Sequence, residues 1–147
     1  MSVDVVTNEV IRRPKDEVAA FAANPDNAPA WYVNIKSVEW KSAPPLRLGS
    51  RVAFVAQFLG KRLAYTYEIV ELVPGARLVM RTAEGPFPME TTYMWESTEQ
   101  GSTRMTLRNR GTPAGFSRLA APFMAMAMRK ANRNDLARLK KLLEARG

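Results

Sequence analysis

From Val33 to Arg110 apolar and polar residues alternate in short runs separated by Pro and Gly, and after Pro113 the apolar spacing changes to the three-and-four step of a helix. Alternation leaves a sheet with one apolar face, and a helix with one apolar stripe needs a concave partner, so a chain of this pattern is directed toward a sheet that closes on its own last helix. The closing segment, Pro113 to Gly147, reads as one long amphipathic helix. In its first part Phe116, Leu119, Ala120, Phe123, Met124 and Ala127 follow the spacing of one helical face.

The alternating runs are Val33 to Trp40, Arg51 to Leu59, Arg62 to Val73, Arg77 to Ala83, Met89 to Glu96 and Thr103 to Arg110. Between them stand Pro44-Pro45, Gly60-Lys61, Pro74-Gly75, Gly85-Pro86 and Gln100-Gly101, which supply the fixed φ of Pro and the positive φ of Gly that tight connections use. Upstream, Val3 to Arg12 has the β-branched content of a first strand, and Pro14 sits where a short helix over Lys15 to Ala23 would begin. Asn24 then caps a second short helix that runs toward Trp31, with Pro25 in its first turn. The expected architecture is α+β: seven antiparallel strands in a curved sheet, two short helices after the first strand, and a long C-terminal helix.

Parity tells which side chains face that helix. Val52, Phe54, Ala56 and Phe58 share one side of their strand; Tyr65, Tyr67 and Ile69, Leu78 and Met80, Tyr93 and Trp95, and Met105 and Leu107 do the same on theirs. The inner face is therefore aromatic, while Arg51, Arg77, Arg81, Arg104 and Arg108 fall on the outward parity. Glu84 shares parity with Leu78 and Met80, and Glu90 falls on the outer side. In the second strand the alternation slips between Ile35 and Val38, which predicts a bulge near Lys36-Ser37.

At 147 residues with 46% apolar content, residues 1–147 can form one domain with a core that needs no disulfide or metal. The absence of Cys and His removes thiolate nucleophiles, Ser-His-Asp triads and the usual zinc sites, and no Asp-rich loop offers an all-oxygen metal site. No cofactor is expected. The opening Met1-Ser2-Val3-Asp4 has no signal-peptide character, and the apolar stretch Leu119 to Met128 is far shorter than the roughly 20 residues of a membrane span, so a cytoplasmic protein is expected.

The net charge of +8 is unevenly placed: residues 1–103 carry 11 basic and 12 acidic side chains, residues 104–147 carry 11 and 2. The excess belongs to the last strand and the helix, where Arg129, Lys130, Arg133, Arg138, Lys140, Lys141 and Arg146 crowd the C-terminal half. This end is either a solvated face or a surface for anionic lipid, RNA or an acidic partner protein, with peripheral membrane contact among its uses. The lack of aromatic residues in 129–147 speaks against single-stranded nucleic acid, and Leu136, Leu139, Leu142 and Leu143 form the packing seam.

Taken in order, Ile11-Arg12-Arg13-Pro14-Lys15-Asp16-Glu17-Val18, Trp31, Val73-Pro74-Gly75-Ala76-Arg77-Leu78 and Gly101-Ser102-Thr103-Arg104-Met105-Thr106-Leu107 resemble the START/Bet v 1-like (SRPBCC) helix-grip superfamily, in particular its polyketide cyclase/dehydrase group. The resemblance implies a deep apolar cavity between sheet and helix, of the kind that superfamily uses for lipids, polyketides, quinones and plant hormones, without implying a reaction. Tyr65, Tyr67, Tyr93 and Trp95 would line such a cavity, with Trp31, Phe54, Phe58 and Met80 beside them and Phe116, Phe123, Met124 and Ala127 closing it from the helix. Pro122 either kinks the helix or stands in its first turn, with Ala114 to Ala121 as a separate turn. Thr112 to Ala121 and the Gly85-Pro86-Phe87-Pro88 loop would then gate the cavity, with Phe87 as an exposed apolar tip.

The function expected is binding or carriage of a small hydrophobic molecule. A polyketide cyclase or dehydratase-type enzyme is the alternative; it would gain from an inward-pointing Arg, Asp or Glu hydrogen-bonded to a pocket Tyr, a pocket lined only by apolar groups and Tyr would count against it, and no catalytic residue is assigned from the sequence.

Overall fold

The computed structural model of the chain describes residues 2–112 and 121–146. β1 (Val3–Ile11) leads into α1 (Lys15–Ala23), a turn of 3-10 helix (Pro25–Asn27) and α2 (Ala28–Trp31). β2 (Ile35–Trp40), β3 (Arg51–Phe58), β4 (Lys61–Val73), β5 (Arg77–Glu84), β6 (Met89–Ser97) and β7 (Thr103–Gly111) follow, and α3 (Ala121–Glu144) closes the chain. All seven strands join one antiparallel sheet in the order β1-β7-β6-β5-β4-β3-β2. Each strand from β2 to β7 pairs with the next in sequence, and β1 completes the sheet against β7.

Local chemistry explains the short elements. Asn24 accepts the Asp26 N–H at its side-chain oxygen, and Pro25 begins the turn where no N–H is needed. Gly75, at φ 75° between β4 and β5, is in the left-handed region, and a Cβ there would sit 3.2 Å from Asp16 Oδ1 on α1. The register of β2 against β3 shifts between Ile35 and Ser37, the bulge that the broken parity predicts. Two further shifts between β4 and β5, at Thr66/Tyr67 and Ile69/Glu71, mark irregularities of the kind that bend a sheet.

The concave face carries the expected parity. Val52, Phe54, Tyr67, Ile69, Leu78, Met80, Tyr93, Trp95, Met105 and Leu107 are buried, and Leu136, Leu139 and Leu143 of α3 join them in the main core. Leu142, expected in this seam, is 39% exposed; it lies one residue before the buried Leu143, a rotation of about 100° around the helix. Pro122 stands in the first turn of α3 as its bounds are drawn, where a missing N–H breaks no helical bond. The separate turn expected over Ala114 to Ala121, and Phe116 with it, lies outside the described residues except for Ala121 itself. Among the described residues no helix is long and apolar enough to cross a membrane.

Candidate functional site

Between the concave sheet and α3 lies a partly open cavity of about 120 Å³. Phe54 and Phe58 of β3, Tyr65 and Tyr67 of β4 and Met80 of β5 line it, as do Tyr93 of β6 and Met124 of α3. These seven belong to the aromatic and Met group that the sequence placed on the inner side. Phe54, Tyr65 and Tyr67 touch one another with ring centroids 5.0 to 5.9 Å apart, so they form a continuous aromatic wall.

Four expected residues stand elsewhere. Trp31 is fully buried behind the wall, 4.2 Å from the Tyr32 ring and 5.7 Å from that of Tyr93, and is absent from the cavity lining. Trp95 packs beyond Tyr93, toward α1, where it borders a different, open groove with Trp40 and Leu72. Phe123 is 71% exposed and Ala127 only partly buried, so neither closes the cavity. The reason is helical phase: from the buried Leu139, steps of four and three lead back through Asp135, Asn132 and Met128 to Met124, which leaves Phe123 about 100° off the inward face. Phe87 also corrects its expectation, being buried at 8% exposure and part of the lining instead of an exposed tip.

The same phase brings in polar groups that the sequence reading missed. Asn132 and Asp135 lie one turn apart on α3 and both face the cavity, joined there by Tyr32, Thr91 and Asn109. Tyr32 and Tyr93 share a 2.6 Å hydrogen bond between their hydroxyls. Across the cavity wall Tyr67 meets Thr91 at 2.7 Å, Thr91 donates to Asn109 Oδ1 at 2.5 Å, and Asn109 Nδ2 donates to Asn132 Oδ1 at 3.1 Å. Extending the leucine seam backward by helical steps would have flagged Asn132 and Asp135 as polar residues on an apolar face. Thr91 shares the inward parity of Tyr93 and Trp95, and Asn109 that of Met105 and Leu107, so carrying the alternation one step further along each strand would have flagged them too.

Asp135 is 2% exposed, and one of its oxygens accepts the Val33 N–H at 2.8 Å. Burial pushes its carboxyl up to about 7, against the opposing pull of that N–H and of Arg138. Burial also raises the tyrosines: Tyr67 reaches about 12 despite its bond to Thr91, and Tyr32, Tyr65 and Tyr93 lie well above the ordinary phenol value. At neutral pH the phenols are therefore protonated hydrogen-bonding groups, and Asp135 is the group in the cavity that can gain or lose a proton.

The arginines keep outside. Arg81 and Arg110 both grip Glu90, Arg51 pairs with Glu68 and Arg108 with Asp4, all on the convex face, and Glu84 is exposed at the end of β5. Part of the basic end of α3 is used within the fold: Arg138 Nη2 donates to Ala30 O, Lys140 to Val10 O and Glu144, and the Arg146 guanidinium lies 5.2 Å from the Phe21 ring centre. Arg129, Lys130, Arg133 and Lys141 are exposed. Among the described residues no cluster of acidic side chains could hold a metal ion.

A curved seven-stranded sheet gripping a C-terminal helix, with short helices after β1, is the helix-grip fold of the START/Bet v 1-like superfamily. Residues 2–144 match the model of the family described as polyketide cyclase/dehydrase and lipid transport, and the chain belongs to that family. TTHA0849 from Thermus thermophilus superposes with a TM-score of 0.83 at 20% identity, over 98% of this chain and 99% of that one. The Zhui aromatase/cyclase from Streptomyces sp. R1128 gives 0.80 at 14% identity, over 99% and 96%. A START superfamily protein from Mycobacterium smegmatis gives 0.73 at 14%, over 97% and 95%. No curated protein matches the sequence at a significant level. At such identities these structures share the fold, and the side chains of the cavity are this chain's own.

Proposed function

We propose that the protein binds a small hydrophobic molecule, of the lipid, quinone or polyketide-like class, in the cavity between the sheet and α3. The observation that carries this reading is the lining itself: a wall of Phe and Tyr with flexible Met opposite, interrupted by a few polar groups, borders open space between the sheet and α3. Phe54, Phe58, Tyr65, Tyr67, Met80, Tyr93 and Met124 would supply apolar contact. Native mass spectrometry and thermal-shift measurements against lipids, quinones and aromatic polyketides test it. A ligand at about a hundred times its Kd stabilises the folded state by about 2.7 kcal/mol, and retention of one molecule per chain together with such a shift is expected. A screen in which no compound is retained and no transition moves would refute the reading.

A second reading, a cyclase or dehydratase-type enzyme, is favoured by Asp135. A buried carboxyl whose proton is exchanged near neutral pH, in a cavity that the hydrogen-bonded Tyr32–Tyr93 pair also lines, is suited to general acid-base work on a carbonyl compound held there. It predicts turnover of a poly-β-ketone by the protein and loss of that turnover by two or more orders of magnitude in Asp135→Asn, while ligand retention persists. Retention without turnover would leave binding as the function.

A further inference from the structure

One hydrogen-bond chain in the cavity wall runs in a single direction and ends on a donor. Thr91 has one hydroxyl proton and gives it to Asn109 Oδ1, so Tyr67 must be the donor in its contact with Thr91. With its carbonyl turned to Thr91, Asn109 presents Nδ2 to Asn132 Oδ1. Asn132 is thereby fixed with Nδ2 as its remaining polar atom, and that N–H group is buried and has no partner among the described residues. Asn132 itself is only 5% exposed and lines the cavity. A buried donor left unmade is costly, and the group that relieves it is an acceptor.

Asp135 sits one helical turn further along the same face and lines the same cavity. Its carboxyl accepts the Val33 N–H and feels the charge of Arg138, whose guanidinium is engaged with Ala30 O, and the hydroxyl-bearing Tyr32, Tyr65 and Tyr93 line the same cavity. A second carboxylate brought into this apolar space would meet a like charge with little water to screen it.

We infer that Asn132 selects the ligand: among apolar molecules the cavity takes those with a neutral carbonyl-type oxygen that accepts from Asn132 Nδ2, and Asp135 turns away free carboxylates. This rests on the proposed ligand-binding role of the cavity and names the ligand's chemical class.

Three probes of matched shape separate the possibilities: acetonaphthone, ethylnaphthalene and naphthoate. Binding to the full chain is measured by titration above about pH 8, where both carboxyls are ionised. Acetonaphthone is expected to bind about tenfold more tightly than ethylnaphthalene, equivalent to about 1.4 kcal/mol, and naphthoate most weakly. In Asn132→Leu the ratio between ketone and hydrocarbon affinities should fall to about one. In the unaltered protein the Asn132 side-chain amide resonances should move with acetonaphthone and stay with ethylnaphthalene, a readout that does not depend on the variant folding. Equal affinities, a gap that survives Asn132→Leu, or an unmoved amide would each overturn the inference while leaving ligand binding intact. If none of the probes binds the unaltered protein, the cavity reading falls and this one with it.

Discussion

At its C-terminal end α3 sets Leu136, Leu139 and Leu143 into a core shared with Ile11, Val18, Trp31 and Leu107, whereas nearer its N-terminus the same face borders the cavity with Met124, Met128, Asn132 and Asp135. Both stretches follow one phase and lie under one sheet. They differ in side-chain chemistry: Leu has few rotamers and no polar atoms, so it fills its neighbours' gaps, while Met is adaptable and Asn and Asp must be solvated or bonded. The first arrangement anchors the helix. The second leaves a lined, partly polar space that the anchored helix holds open.

The largest effect that tests this division is Leu139→Ala. Leu139 is fully buried in the main core and stands outside the cavity lining, so the variant should lose about 2 to 5 kcal/mol in urea denaturation. A loss under about 1 kcal/mol would mean that the seam is not the anchor.

Asp135→Asn comes next, and its sign depends on pH. Because the folded carboxyl holds its proton up to about 7, above its unfolded value, the folded state binds the proton more tightly; stability falls as pH rises from about 4 to about 7 and is level above. The Asn variant should lack this decline and exceed the parent by on the order of 2 kcal/mol above about pH 8, as measured by urea denaturation across the range. Parallel pH profiles for the two proteins would show that Asp135 is solvated and the cavity polar. Glu144 acts in a separate window: the Arg12 and Lys140 contacts hold its carboxyl down to about 2, so that contribution is lost only as pH falls through the ordinary carboxylate range toward 2.

Phe123→Ser is the smallest. An exposed Phe outside the cavity should be replaceable within about 0.5 kcal/mol, with ligand affinity unchanged. A clear drop in affinity would return Phe123 to the site.

Much of the fold was legible because period-two alternation and Pro/Gly punctuation are local signals. The strands lie within a residue or two of their expected bounds, and even the β2 bulge could be seen where Val33 and Ile35 give way to Val38 and Trp40. The cavity lining was legible on the sheet, where parity decides a side chain's direction. It failed on the helix, where a broad run of Phe, Ala and Met admits several phases and only the leucines fix one; the reading that joined Phe123 to Met124 and Ala127 chose the wrong rotation. Trp31 and Trp95 lie inside as parity and composition suggest, yet depth within the core is not a local property.

By itself the sequence determined the order of elements, the aromatic inner face, the outward arginines and the exclusion of His and Cys chemistry, since each follows from residue type and spacing. Only the tertiary structure decided that Tyr67, Thr91, Asn109 and Asn132 form one directed chain and that Asp135 faces the same space. Those groups come from four elements far apart in sequence, and a hydrogen bond depends on distances of a few tenths of an ångström that no pattern along the chain encodes.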